Sequence, residues 1–195
     1  MHSLSPDIDF HTHDLTVPAG SAIVNVPKAW LVRPEAFAPV PGGLYSAGIH
    51  PWWTSSDEWD EALFAGLEVL LSHPQVVALG ECGLDRLRGG SMERQCEVFG
   101  RQVRLAGRFG LPVTVHCVRA FDILLHMHKS LRPTTRWTVH GFRGRPALAR
   151  QLLAAGIDLS FGSRYDAGSF ALVPPGRRHV ETDGPETPLS DRLKE

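Results

Sequence analysis

Eight short apolar runs, spaced along almost the whole chain, restrict what this sequence can fold into. Most are nearly continuous in hydrophobic residues, which is typical of strands buried on both faces of a parallel sheet. Parallel neighbours need long crossovers that are usually helical, so the pattern predicts an α/β fold. The predicted strands are residues 7–13, 22–27, 44–50, 76–81, 112–117, 136–141, 157–162 and 178–183.

Amphipathic segments between these runs predict helices. They lie at residues 56–72, 92–109, 119–131 and 146–155. Ser55 and Glu58 have the spacing of a capping box at the start of the first helix. Gly110 follows the second helix as a stop, and Pro146 occupies a favoured first position in the fourth. Strands that alternate with helices in this way predict a TIM-type βα-barrel.

Several crossovers are too short for a complete barrel of this type. The segment from Asp14 to Ser21 has no room for a helix with its loops, and residues 28–43 are rich in proline and glycine. Only 12 residues follow Asp183, and the chain has 195 residues where a typical barrel has about 250. We therefore expect a trimmed barrel, with some outer helices short or missing, as a single domain over residues 1–195.

Composition narrows the cellular setting and the partners. The net charge of −1 gives no electrostatic argument for nucleic acid or an anionic membrane. Cys82, Cys96 and Cys117 are too few, and odd in number, for a disulfide framework. The N-terminus has no signal-peptide pattern, and no stretch approaches the about 18 apolar residues of a membrane span. We expect a cytoplasmic location and no membrane association; the oligomeric state stays open.

Residues of the kinds that bind metal ions end several of the predicted strands. They are His11, His13, Glu81, His116, His140 and Asp183. Imidazoles and carboxylates that converge from several strand ends are what a hydrolytic metal centre requires. In a βα-barrel those ends meet at one face, where the active site lies.

Each of these residues also has an ordinary explanation when it is taken alone. His11 and His13, two apart on a strand with Asp9, share one face, but two solvent-facing histidines are a common alternative. A buried glutamate needs a partner, although Glu81 could be a rim carboxylate. Asp183 could cap the turn before Gly184. The convergence of all six, rather than any one, favours the metal site.

Other residues at the same strand ends are candidates for supporting roles. His50 ends the third predicted strand and could contact a substrate anion, and Arg119 could hold phosphate oxygens as a forked donor. Trp52 could stack on a base, although packing over the barrel mouth is the commoner role. Glu181 shares a strand face with Asp183 and could support it from behind. Asp85 could support a metal ligand in the same way or cap the loop, and the loop role is favoured.

The motifs, in their order, resemble those of the TatD family of metal-dependent hydrolases. The matching segments are Asp9-Phe10-His11-Thr12-His13, Gly48-Ile49-His50-Pro51, Gly80-Glu81-Cys82-Gly83-Leu84-Asp85, Pro112-Val113-Thr114-Val115-His116-Cys117, Val139-His140-Gly141-Phe142, Leu159-Ser160-Phe161-Gly162 and Glu181-Thr182-Asp183. The resemblance implies a TIM-barrel-like fold and a deoxyribonuclease that needs divalent metal. It also implies one metal on His11, His13 and Asp183, and a second on His116 and His140, with Glu81 bridging both.

The chain departs from the family pattern around the substrate rim. The family usually has an arginine two residues after the strand-five histidine, where this chain has Val118 and then Arg119. One residue on a turn or early helix rotates a side chain by about 100°. Cys82 replaces an aliphatic residue, and Arg86 stands where an aromatic residue is often found.

The leading hypothesis is hydrolysis of DNA or another phosphodiester, in the manner of a 3'-5' exonuclease. Two divalent ions (Zn, Mg or Mn) about 3.5–4 Å apart would activate a hydroxide, with Asp183 as general base and Glu81 between the ions. His50 or Arg119 would stabilise the developing charge. Two alternatives remain at this point: cleavage of an amide, ester or lactone by an amidohydrolase-like reaction, and a metal-binding barrel without enzymatic activity.

Overall fold

The computed structural model describes residues 8–55 and 60–184. Eight parallel strands form one sheet in which each strand pairs with the next in the sequence, so the spatial order is the chain order. The strands are β1 Asp9–Thr12, β2 Ala22–Asn25, β3 Leu44–Ala47, β4 Val76–Asp85, β5 Val113–Val118, β6 Trp137–Val139, β7 Asp158–Phe161 and β8 Arg178–Val180. The predicted TIM-type barrel is confirmed.

The two end strands of the sheet, β1 and β8, approach each other and nearly close the barrel. The backbone N–H of Asp183 donates to the carbonyl oxygen of His11 at 3.1 Å. Thr182 donates to the Asp9 carboxylate through its backbone N–H at 3.0 Å and through its hydroxyl at 2.6 Å. The Phe10 and His179 rings stack with centroids 4.4 Å apart. These contacts bring the two ends of the described chain to one face of the barrel.

The crossovers explain the reduced size of the barrel. Helices of the described chain are α1 Lys28–Val32, α2 Asp60–Leu71, α3 Met92–Phe109, α4 Phe121–Leu131, α5 Pro146–Ala154 and α6 Ala167–Leu172. The predicted trimming is seen directly, since β1 joins β2 without a helix and α1 has only five residues. The capping glutamate Glu58, and any closing helix after Gly184, lie outside the described residues.

Several sequence-based strand ends are wrong and one helix was missed. β3 ends at Ala47 and β8 at Val180, so His50 and Asp183 follow these strands instead of ending them. The strand predicted to end at Glu81 continues to Asp85, so Glu81 lies inside β4. β6 ends at Val139, so His140 follows the strand instead of lying within it. The six-residue helix α6 was not predicted, because it is too short to show helical periodicity.

The core joins the strands to the outer helices. Trp137 of β6 is fully buried and packs against Phe99 of α3, with ring centroids 5.0 Å apart. Helices α1 and α2 pack especially closely against each other. A Cβ on Gly66 would lie 1.8 Å from the carbonyl oxygen of Leu31, so only glycine allows this approach. Among the described helices, none is long and apolar enough to cross a membrane.

Candidate metal centre

The carboxylate of Glu81 lies between two sets of imidazole nitrogens. Its Oε2 is 3.5 Å from His11 Nε2 and 3.4 Å from His13 Nε2. Its Oε1 is 2.7 Å from both His116 Nδ1 and His140 Nε2. The four histidines and the glutamate therefore come together as the sequence predicts, and each carboxylate oxygen faces a different pair.

An irregularity in β4 aims Glu81 into this cluster. Between Leu79 and Cys82 the register against β5 shifts, and such irregularities commonly redirect side chains at functional sites. Gly80 has φ +149°, and a Cβ there would lie 2.6 Å from the carbonyl oxygen of Thr114. The Glu81 backbone N–H donates to Asn25 Oδ1 at 2.7 Å, which ties the irregular segment to β2. The glycine is thus required by the close approach of β5.

Asp183 lies on the open side of the His11–His13 pair. Its Oδ1 is 4.0 Å from His11 Nε2 and 3.9 Å from His13 Nε2, and its side chain is 37% exposed. The structure thus places Asp183 with the pair that the family pattern assigns to it. Asp9, which was expected to share this face, instead directs its carboxylate to Thr182.

His116 contacts a second carboxylate through its other ring nitrogen. His116 Nε2 lies 3.1 Å from Asp85 Oδ2, while Nδ1 faces Glu81. Asp85 also accepts the Leu87 backbone N–H at 2.8 Å, so the predicted loop cap is present. That interpretation was incomplete, because Asp85 is buried at the end of β4 and orients a cluster histidine as well.

His140 is held in the same way by Glu181. His140 Nδ1 lies 3.3 Å from Glu181 Oε1, and the same oxygen accepts the Gly141 backbone N–H at 2.6 Å. Both His116 and His140 therefore have a carboxylate available for the N–H on the ring nitrogen that faces away from Glu81. The nitrogen that faces Glu81 is then the one that can bind a metal ion, as in metal-bound histidines whose other nitrogen contacts a carboxylate.

His50 lies inside the cluster and not at an open rim. Its Nε2 is 3.2 Å from Glu81 Oε1, and its Nδ1 accepts the Trp52 backbone N–H at 3.2 Å. Burial lowers its pKa, which favours a neutral imidazole. Arg119, the other predicted substrate contact, is exposed after β5 with φ +53°.

Burial and neighbouring charges shift the pKa values of Glu81 and His140 in opposite directions. Burial alone would raise the pKa of Glu81, but His140 and hydrogen bonds from His11, His116 and His13 hold that pKa well below its usual range. Burial alone would lower the pKa of His140, but Glu81 and Glu181 raise that pKa well above its usual range. Glu81 is therefore ionised, and the site favours positive charge beside it.

The donor set fits divalent metal ions. Several triplets of nitrogen and oxygen donors have ligand atoms within 4.8 Å of one another. These triplets are His11–His13–Asp183, His11–Glu81–His140, His50–Glu81–His116 and His140–Glu181–Asp183. Imidazole nitrogens this close to a carboxylate either carry a proton or share a cation with it, and imidazole with carboxylate suits zinc and related ions as ligands. The site can therefore hold metal.

Comparison with known proteins agrees with this geometry. The model of a family described as TatD related DNase matches residues 32–192. The chain belongs to this family. Two proteins named 3'-5' ssDNA/RNA exonuclease TatD are similar to it. The one from Erwinia billingiae (strain Eb661) is 36% identical over 156 residues, and the one from Edwardsiella piscicida is 46% identical over 152.

This TatD-family chain matches only part of those relatives. The aligned regions cover 74% and 72% of this chain, but 59% and 57% of the two relatives. The solved structure of YJJV, a TATD homolog from Escherichia coli K12, is similar with a TM-score of 0.72 at 26% identity. That similarity covers 96% of this chain and 82% of that protein. The family fold is thus retained in a chain that spans less than two thirds of the curated relatives.

Proposed function

We propose that this chain is a metal-dependent nuclease that hydrolyses phosphodiester bonds in single-stranded nucleic acid. The observation that carries the proposal is that the two oxygens of Glu81 face different histidines. Oε2 faces His11 and His13, and Oε1 faces His116 and His140, with His50 also beside it. Hydrolytic centres with two metal ions need one group between the ions, since the ions lie about 3.5–4 Å apart. The position of Glu81 between the histidines supports that role.

The residues divide into two ligand sets. His11, His13 and Asp183 would hold one divalent ion, and His116 and His140 the other, with Glu81 shared between them. The mixture of nitrogen and oxygen donors suits zinc or manganese. Magnesium is the hardest of the three candidates and prefers oxygen ligands, so this donor set suits it least. His50, 3.2 Å from Glu81 Oε1, lies beside the second set and would contact either the ion or a phosphate oxygen.

Side chains of the protein would orient the substrate phosphate and accept a proton from the attacking water. Bound divalent ions lower the pKa of water and neutralise charge that develops on a phosphate. Asp183 has the exposure needed to meet an attacking water, and its carboxylate would accept the proton. Arg119 is proposed to contact phosphate at the rim after β5, because an exposed guanidinium can bind phosphate oxygens with two N–H groups.

The substrate is inferred from the relatives. They are named as exonucleases of single-stranded DNA and RNA that act from the 3' end, and this chain would act on DNA in the same sense. A cytoplasmic location is proposed with it. Free thiols at Cys82, Cys96 and Cys117 are compatible with a reducing compartment.

The test is cleavage of an end-labelled single-stranded DNA oligonucleotide by the purified protein. Reactions would contain Mg²⁺, Mn²⁺ or Zn²⁺, or a chelator, and the metal bound per chain would be measured by mass spectrometry. Asp183→Asn should lose most turnover, and Asp122→Asn, an exposed carboxylate outside the cluster, should not. Glu81→Gln should lower the metal content from two ions per chain.

The contrary outcomes separate the competing functions. Cleavage that survives both the chelator and Asp183→Asn would exclude this centre as the source of activity. Two bound ions without cleavage of DNA or RNA would exclude the nuclease proposal and favour an amide, ester or lactone substrate. Bound metal with no hydrolysis of any such substrate would favour a metal-binding barrel without enzymatic activity.

A further inference from the structure

A tryptophan and an arginine from different crossovers stack beside the candidate metal centre. Trp52 follows β3 and is 39% exposed. The guanidinium carbon of Arg88, from the loop between β4 and α3, lies 4.6 Å from the centroid of the Trp52 ring. We propose that Trp52 and Arg88 form a subsite for the nucleobase next to the scissile phosphate; this inference rests on the nuclease function proposed above.

The loop that carries Arg88 is built to lie against the Trp52 segment. A Cβ on Gly89 would be 2.2 Å from the carbonyl oxygen of Pro51, and one on Gly90 would be 2.5 Å from that of Thr54. Both glycines are therefore needed for this close packing, and Gly89 also has φ +91°. This packing holds Arg88 in position over the Trp52 ring.

A buried glutamine fixes the shape of the same loop. Gln95 of α3 is 1% exposed, and its Nε2 donates to the carbonyl oxygens of Asp85, Arg88 and Gly90, each at 2.9 Å. Its Oε1 accepts the Asp85 backbone N–H at 2.7 Å. The loop is thus tied to a long helix at several points. A preorganised surface loses less entropy when it binds a ligand than a mobile loop does.

The surface has the chemistry that single-stranded nucleic acid requires. A depression of about 480 Å³ lies along residues 85–90 and is also lined by Met92 and Ile123. Arg86 and Arg88 are both exposed there, and Leu87 adds an apolar side chain that is 61% exposed. Proteins that bind single strands combine an aromatic platform with cationic groups along the backbone path. Trp52 is 39% exposed, so part of its ring is accessible to a base.

The position of Trp52 connects this platform to the centre. Its ring centroid is 4.6 Å from that of His50 and 6.0 Å from that of His116. Its indole N–H donates to Asp85 Oδ2 at 2.7 Å, and Asp85 in turn contacts His116. A base stacked on Trp52 therefore has its phosphate beside the cluster, and the ring is held by the same carboxylate that orients a cluster histidine.

The test is the affinity of the chelator-treated protein for a fluorescently labelled single-stranded DNA decamer, measured by anisotropy. Trp52→Ala should weaken binding by about 5- to 150-fold, which corresponds to the about 1–3 kcal/mol of one base–aromatic stack. Trp52→Phe keeps the aromatic face but loses the bond to Asp85, so its affinity should stay within about threefold of wild type. Arg88→Ala should weaken binding, whereas Arg108→Ala, the same charge change in the last turn of α3, should not.

A second arm tests the base directly. Decamers with an abasic site at the last or the penultimate 3' position should bind wild type more weakly, and one of these two losses should disappear in Trp52→Ala. Equal losses for Trp52→Phe and Trp52→Ala would overturn the proposal, since they would show that the bond to Asp85 matters and the stacking face does not. Wild-type affinity in Trp52→Ala would overturn it as well. Cleavage by wild type, measured separately, shows whether the nuclease function itself holds.

Discussion

Asp85 and His116 form a carboxylate–histidine pair, with Asp85 Oδ2 3.1 Å from His116 Nε2. The other ring nitrogen, Nδ1, lies 2.7 Å from Glu81 Oε1, so each nitrogen of His116 faces its own carboxylate. Such partners of metal-bound histidines fix the tautomer and the ring orientation, and their loss typically lowers metal affinity. The arrangement gives a prediction that depends on residue chemistry and not on knowledge of the substrate.

Replacement of Asp85 by asparagine should lower the affinity for Zn²⁺ by about 10- to 100-fold. The amide retains the volume of the side chain but cannot hold the His116 N–H with a negative charge. Affinity would be measured by competition with a chromophoric chelator. Asp122→Asn, which changes an exposed carboxylate paired with Arg86, is the matched control and should keep wild-type affinity. Equal affinities for the two variants would show that Asp85 has no part in the centre.

Two buried glutamines on α3 hold the ends of β3 and β4. Gln102 accepts the Ile49 backbone N–H at 2.7 Å and donates to the Ile49 carbonyl oxygen at 3.0 Å, as Gln95 does for the loop after Asp85. Replacement of either glutamine by leucine leaves buried backbone groups without partners, so we expect a loss of about 2–4 kcal/mol in unfolding free energy. Urea denaturation would measure it.

The matched control for these variants is Gln151→Leu, on the exposed surface of α5. It should change the unfolding free energy by no more than about 0.5 kcal/mol. If Gln95→Leu and Gln102→Leu were as stable as this control, water or rearranged backbone would have to satisfy the freed groups. Gln95→Leu should also weaken binding at the Trp52–Arg88 subsite, because it releases the loop that carries Arg88.

The sequence predicted the parts of the fold that depend on local pattern. Continuous apolar runs gave the eight strands, and the strong periodicity of residues 92–109 gave α3 to within its observed bounds, Met92–Phe109. Glu81 was placed at a strand end because the apolar run stops there. β4 nevertheless continues, since Gly80 allows an irregular register and Leu84 returns to the core.

The missed supporting residues depend on contacts between distant segments. Gln95 and Gln102 are seven residues apart and share the helix face of the buried Phe99 and Ala106, but their position along α3 does not show which backbone groups they contact. Similarly, Asp85 reads as a loop cap until His116, 31 residues later, lies beside it. A pattern along one segment carries no information about which backbone groups of another segment need partners. The six predicted metal ligands converge, and their roles stay predictions.

Alanine at two helical glycines should change the unfolding free energy in opposite directions. The two are Gly66, where α2 approaches α1, and Gly100 in α3. Gly66→Ala would place a Cβ 1.8 Å from the Leu31 carbonyl oxygen, so the helices must move apart. We expect a loss of at least about 3 kcal/mol, since fixed backbone cannot give way as a flexible side chain can. Gly100→Ala in α3 meets its nearest atoms at 3.8 Å and should gain up to about 1 kcal/mol from helix propensity.

Thermal or urea denaturation of the two variants decides this prediction. The pair is informative because both changes add one methyl group within a helix, so propensity alone predicts the same gain for each. A stable Gly66→Ala protein would mean that α1, with only five residues, shifts at little cost. A destabilised Gly100→Ala protein would mean that the space beside Met127 is smaller than the 3.8 Å contact indicates.

The three thiols should be poorly reactive in the folded protein. Burial raises the pKa of Cys117 to about 12 and raises those of Cys82 and Cys96 from an ordinary value near 9. Since the thiolate is the reactive form, a disulfide reagent at pH 8 should react slowly. Cys96, which is less buried, should react first and Cys82 last. In denaturant all three should react rapidly, and rapid reaction of Cys82 in the folded protein would contradict the prediction.

The raised pKa values of the three cysteines predict that the protein loses stability at alkaline pH. Between about pH 9 and pH 12 the unfolded chain loses thiol protons that the folded chain keeps, so the folded state binds more protons in that window. Stability should therefore fall as pH rises through it. Cys117→Ser removes one of these groups, and its loss of stability between pH 8 and pH 10 should be smaller than that of wild type. An equal fall in both proteins would show that groups other than Cys117 control stability in this range.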